Sequence, residues 1–240
     1  MSLTRVKNIT ANTTVTGDVN ITGVLTTTST GTTLSSNTYN VVKIQTDKDD
    51  TAAADGLLQF THGSANTVKG EIRYDASESL FEIGHGDNQN HLRINSNGYV
   101  TKPYQPSFGA YQASGNYLVG AGYHKMVIDG TRWNEGNHYS TTNSRFTAPV
   151  AGVYHFDAHV NRYSVADDYL MTIQFYVNGS SHTMGSRLYS RGGADLVASM
   201  GHTIKLDVSD YVEVYSYSND TSSGFSSGAV WNTFSGFLVS

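Results

Sequence analysis

Between Tyr169 and Val177 the odd positions Tyr169, Met171, Ile173, Phe175 and Val177 form one apolar set, and Thr172 and Gln174 lie between them. A helix would scatter such a set around its circumference. A strand, whose side chains alternate with a period of two, gathers it on one face. The dipeptide Asn178-Gly179 follows at once, which is a hairpin signal. The same alternation returns at Ile204, Leu206 and Val208, separated by Lys205 and Asp207, and at Val212 and Val214, separated by Glu213 and Tyr215. Only 15% of the 240 residues are charged, while Gly numbers 24 and Tyr 16, and no long helical run occurs. The chain is therefore expected to be all-β, with residues 106–240 forming a β-sandwich.

In RFTAPVAGVYHF, Arg145–Phe156, a turn is followed by Tyr154 and Phe156 two positions apart, so both rings are expected in one core. Beyond Val153, the opposite face of that strand is polar. The C-terminal FSGFLVS differs: Phe234 and Leu238 fall on one face, Phe237 and Val239 on the other. A strand apolar on both faces is buried on both. In a two-sheet sandwich the second face needs another subunit to cover it.

The chain before residue 106 reads differently. Ile9, Val15 and Ile21 are six apart, as are Val19 and Leu25, Gly17 and Gly23, and Thr10, Thr16 and Thr22. A short β-repeat of this kind cannot bury its apolar side alone, so residues 1–50 are expected to form a fibrous, anchoring segment and linker. In residues 51–105, apolar runs at Leu57–Phe60, Ile72–Tyr74, Leu80–Ile83 and Leu92–Ile94 alternate with polar turn clusters. Four short strands, a small meander, fit this spacing, and packing against copies of itself would relieve its thin core. Pro103 and Pro106 mark the junction to the sandwich.

Several functions are disfavoured. Residues 1–105 hold 8 Lys and Arg against 10 Asp and Glu, and residues 106–240 hold 7 against 10, so no segment is basic enough for nucleic acid. There are no cysteines, which excludes disulfides and thiolate metal sites. The N-terminus has no apolar leader region, and no apolar run approaches membrane-span length, so neither classical secretion nor membrane insertion is expected. No Gly-x-Ser-x-Gly, P-loop or His-Glu-x-x-His occurs, and no enzymatic activity or cofactor is expected.

Asn134, Tyr139, Phe146, Gly152, Tyr154 and Phe156 stand at the spacings of a known family pattern, with Ala148-Pro149 inside it. By these residues the region resembles the globular domain of the complement C1q family, which shares its jelly-roll fold with the tumour-necrosis-factor ligands. Ile128 and Ala158 depart from it, standing where the pattern has aromatics. Thr233-Phe234-Ser235-Gly236-Phe237-Leu238 resembles the final strand of the family, and Ser209-Asp210-Tyr211-Val212 resembles its Gly-Asp-x-Val turn, with Ser for Gly. The resemblance implies a jelly roll that forms a homotrimer, with Tyr154, Phe156, Phe234 and Phe237 in its core and trimer contacts. The order of a Thr/Gly/Val repeat, a meander and a jelly-roll tip also looks like phage tail fibres and head fibres. That second resemblance implies a virion protein, made in a host cytoplasm and exposed on the particle. Its N-terminal segment would hold other virion proteins, and its tip would attach to a host glycan or protein. The competing roles are capsid decoration and a free carbohydrate- or ligand-binding module.

Four candidate sites remain. His155, Asp157 and His159 project from one strand face at neighbour spacings of roughly 6.6–7 Å, and would converge on a metal only if the strand bends. Asp167-Asp168 supply too few oxygens to specify calcium. The Asn-x-Ser/Thr triplets at Asn8, Asn12, Asn20, Asn178 and Asn219 are read as products of composition. The loop Ser216–Trp231 is the candidate receptor surface, with Asn219 and Asp220 offering hydrogen bonds and Tyr217 and Phe225 offering ring faces.

Overall fold

The computed structural model describes residues 56–62, 67–85, 90–191, 193 and 195–240. The β-repeat expected in residues 1–50 lies outside them. All regular elements among the described residues are strands. The first five are β1 (Gly56–His62), β2 (Thr67–Asp75), β3 (Leu80–Gly84), β4 (Asn90–Ile94) and β5 (Val100–Thr101), paired antiparallel in chain order. The four expected strands are present, and Val100–Thr101 adds a fifth.

The registers of this sheet sort its side chains by chemistry. Leu58, Ile72, Ile83 and Leu92 stand in one cross-strand row, and Tyr74, Phe81, Ile94 and Val100 in the next. Directly opposed residues share a face, so these rows make one apolar surface. The other face carries a row of Arg73, Glu82 and Arg93. Glu82 is only 1% exposed there. Arg73 Nε donates to its Oε2 at 2.9 Å, and Arg93 Nε lies 3.0 Å from its Oε1.

The sandwich follows. Its strands are β6 (Ser107–Tyr111), β7 (Tyr117–Leu118), β8 (Gly122–Lys125), β9 (Gly130–Glu135), β10 (Tyr139–Ser140), β11 (Arg145–Thr147) and β12 (Gly152–Tyr163). The rest are β13 (Leu170–Val177), β14 (Ser180–Tyr189), β15 (Leu196–Leu206), β16 (Tyr211–Ser218), β17 (Gly224–Phe225) and β18 (Thr233–Leu238). One sheet runs β9-β6-β18-β12-β15, with β17 and β7 at the far end of β12. The other runs β10-β11-β16-β13-β14, with β8 on β16. The chain repeatedly crosses between the sheets, and this order is the jelly roll.

The alternation read from the sequence decides the core. Tyr154 and Phe156 on β12 and Phe234 on β18 are fully buried, with Phe108, Phe146 and Phe175. Phe146 and Phe156 meet at 5.5 Å between ring centroids, Phe156 and Phe234 at 5.8 Å. The Tyr154 hydroxyl donates to the Val150 carbonyl at 2.8 Å, so its polar end is satisfied. Gly236 is required by this packing: a Cβ there would sit 2.5 Å from the Phe156 ring and 2.9 Å from the His155 carbonyl oxygen. Asn134 closes the β9–β10 turn, donating to the Tyr139 carbonyl at 2.9 Å and accepting its N–H at 3.0 Å. Ile128 and Ala158, where the pattern has aromatics, are buried too.

Asn178 and Gly179 have φ of 50° and 77°, as a two-residue hairpin with both central residues left-handed requires. Two details needed the strand pairing. Thr172 and Gln174 are buried, because Tyr217 and Tyr215 flank them across β16. Val208 is 61% exposed, because β15 stops at Leu206 and the chain turns.

Candidate functional site

The outward face of the β9-β6-β18-β12-β15 sheet holds the first candidate site. With Tyr154 and Phe156 pointing inward, His155, Asp157 and His159 point out. Phe237 and Thr203 flank His155, Ser235 and Gly201 flank Asp157, and Thr233 and Ser199 flank His159. His155 Nε2 lies 3.0 Å from Asp157 Oδ2, and its ring is 5.5 Å from that of Phe237. His159 instead pairs with Ser199, Nδ1 to Oγ at 2.8 Å. The strand does not bring the three side chains to one point. Among the described residues no group of three His, Asp or Glu side chains is arranged to hold a metal. A shallow groove of about 390 Å³ runs between Asp157, His159, Ser199, Gly201 and Thr233. Phe237 and Trp133 are each 48% exposed on this face, Trp133 lying across Gly109.

The loop after β16 holds the second. Here the structure corrects two of the four receptor candidates. Phe225 is fully buried, its ring 5.3 Å from Tyr117 and 5.1 Å beneath the guanidinium of Arg162. Asp220 is 1% exposed. Its Oδ2 accepts the Ala166 N–H at 2.7 Å, and its Oδ1 accepts the Ser222 N–H at 2.7 Å. Burial pushes the Asp220 carboxyl up, but these bonds and the nearby Arg162 charge outweigh it and hold the group below the usual carboxylate range. Arg162 is wholly buried and donates from Nη2 to the Gly120 carbonyl at 2.6 Å. Burial lowers its pKa to about 10, against the opposing pull of Asp220. Asp220 and Phe225 thus fasten the loop from inside. Asn219 is exposed, its Oδ1 accepting the Leu170 N–H at 2.7 Å.

Tyr217 belongs to a surface the sequence reading did not assemble. Tyr215 and Tyr217 alternate with buried Val214, Ser216 and Ser218, so both point out of the second sheet. Tyr123 on β8 meets Tyr217 at 4.7 Å, and Tyr176 on β13 stacks on Tyr215 at 3.9 Å. Burial pushes the Tyr176 and Tyr215 phenols up. Arg145 lies 4.4 Å over the Tyr211 ring, and Lys125 Nζ reaches Glu213 Oε1 at 3.0 Å. The Tyr215-Ser-Tyr217 alternation was the available signal; the pairing with Tyr123 and Tyr176 needed the sheet. Asp168 is paired with Arg191 at 2.7 Å, and among the described residues the Asp167-Asp168 turn belongs to no group of three His, Asp or Glu side chains that could hold a metal.

A family profile described as C1q domain matches residues 110–239. The chain is 33% identical over 116 residues to the complement C1q tumor necrosis factor-related protein 5 of Rattus norvegicus, covering 48% of this chain and 45% of that one. For the Homo sapiens protein of the same name the identity is 31%, with the same coverage. The chain therefore spans less than half the length of these relatives. Among solved structures, the globular domain of zebrafish complement 1qA aligns with a TM-score of 0.42 and 18% identity, over 57% of this chain and 98% of that one. The profile match begins at residue 110 and does not reach residues 1–50 or the β1–β5 sheet.

Proposed function

We propose a function from one premise: the chain belongs to the C1q domain family, through residues 110–239. On that footing the domain is a ligand-binding module and not an enzyme. It works as a homotrimer, with the outward face of the β9-β6-β18-β12-β15 sheet turned toward its siblings. The observation that supports this is Phe237, an aromatic side chain left 48% exposed at the middle of a sheet whose other face is sealed. Ligand contact falls to the Tyr123–Tyr217 pair and exposed Asn219 at the same end of the second sheet, where ring faces and a side-chain amide suit a glycan or a protein loop. Sedimentation of the full chain at micromolar concentration tests the assembly: one species of three chains is expected, and a stable monomer overturns it. A glycan array probed with wild type and Tyr217→Ala tests the contact.

A second reading concerns where the module is displayed. The six-residue spacing of residues 9–25 suits a fibrous stalk. We place the module at the tip of a virion fibre or spike, attaching the particle to a host surface, with capsid decoration as the competing role. Binding of the full chain to host cells, with competition against infection, supports attachment. Loading onto capsids by a chain inert toward cells supports decoration.

A further inference from the structure

The sheet formed by β1 to β5 is a single layer with one apolar face. Leu58, Phe60, Tyr74, Phe81, Ile83 and Val100 all lie on it, between 40% and 58% exposed. Its other face carries the Arg73–Glu82–Arg93 cluster, with Glu82 between the two arginines. Water hydrates charged groups and not apolar ones, so the apolar face is the side that gains most from being covered. We propose that the apolar face of the β1–β5 sheet is a second self-association surface, covered by the same face of the two sibling copies. This inference rests on the homotrimer proposed above.

Three observations favour a sibling over any other occupant. The exposed parts of these side chains come to roughly 500 Å², at the upper end of what a monomer leaves bare and well over half of the ~800 Å² that one partner gives to a standard interface. The tether is short: only residues 102–106 separate β5 from β6, a reach of at most about 18 Å, and Pro103 and Pro106 stiffen it. A trimer of jelly rolls thus holds three such sheets together at an effective concentration on the order of millimolar. The junction is also fastened. His91 on β4 packs against Tyr104 at 5.6 Å, Gln105 bonds the Leu238 carbonyl, and the Leu238 N–H donates to the Pro106 carbonyl at 3.0 Å. The linker is thus tied at one end to the sheet and at the other to β18. Three apolar faces meeting about one axis bury what a single chain leaves in water.

The chain has no cysteine, so a single introduced thiol reports only on its own surroundings. Ile83→Cys places it at the centre of the apolar face, Val100→Cys at the edge, where an exposed side chain tolerates replacement. Gln59→Cys places it on the opposite face. Each full-length variant is treated with a short bismaleimide at micromolar concentration, its chain count is taken by sedimentation, and its covalent dimers are read on a denaturing gel. The expected result is three chains in solution, strong dimer bands from Ile83→Cys and Val100→Cys, and little from Gln59→Cys. A trimer in which the two apolar-face variants link no better than Gln59→Cys overturns the inference and leaves the jelly-roll trimer standing. That result also follows if the chain's own N-terminal residues cover the face. A monomer overturns both.

Discussion

Ser209 has a φ of 73°, a left-handed conformation that costs a residue with a Cβ roughly 1–2 kcal/mol. It stands where the family turn has glycine, and its N–H still donates to the Ala148 carbonyl at 2.8 Å. Ser209→Gly should therefore stabilise the fold by about 0.5–1 kcal/mol, the strain relieved less the extra unfolded-state entropy of glycine. Thermal unfolding of the two proteins side by side should show a midpoint up by roughly 1–4 °C. Asp220 makes a prediction with a pH signature. Its folded pKa is depressed below 3.8, so its contribution is present above that value and is lost as the pH falls through the folded pKa. Asp220→Asn turns a donor toward the Ala166 N–H and leaves buried Arg162 without its countercharge. Denaturant midpoints should show a loss on the order of 1–3 kcal/mol at pH 7. The gap from wild type should narrow below pH 3.8. An equal gap at both pH values would assign the loss to shape alone.

At the scale of the element, β12 carries both the core and the outward face, and its period of two keeps them apart. Phe156→Ala should cost about 3–5 kcal/mol, because five buried rings surround the vacated space and cannot all collapse into it. His155→Ala, one residue away, should leave the stability of a single chain within about 0.5 kcal/mol, since its contacts are on the surface. Urea unfolding of both variants in a chain made monomeric by Phe237→Asp checks the contrast, and comparable losses would mean that the strand's two faces are not separated as described. The β3 strand gives the inverse case. Its buried residue is Glu82, and Glu82→Ala leaves Arg73 and Arg93 as two neighbouring cations with no carboxylate between them. A loss of about 1–3 kcal/mol is expected, because the arginines left behind are 20% and 35% exposed and Arg73 keeps Asp75 at 3.4 Å.

At the scale of the whole molecule, Phe237→Asp separates the interface from the fold. The side chain is half exposed in one chain, so the single jelly roll should tolerate the change. Three carboxylates brought to one interface should not be tolerated. Sedimentation should shift from three chains to one while the strand signal in circular dichroism is kept. Loss of that signal instead would place Phe237 in the core of the single chain.

The sequence alone determined the class of fold, the strands with strong alternation, the turn at Asn178-Gly179 and the inward rings of Tyr154 and Phe156. All of these are local: a period of two and a left-handed turn are written in neighbouring residues. It also determined that His155, Asp157 and His159 share one face, but not which of them touch. Only the tertiary structure decided that Asp220 and Phe225 are interior, because the loop carrying them has no period and its burial depends on Arg162 and Tyr117, 58 and 108 residues away by the numbering. Likewise, only strand pairing brought Tyr123 and Tyr176 beside Tyr217 and Tyr215. The one-sided sheet of β1 to β5 lies between these cases. Its apolar runs were legible, but register alone put every apolar row on one face and Glu82 on the other, since a slip of one residue would have mixed them.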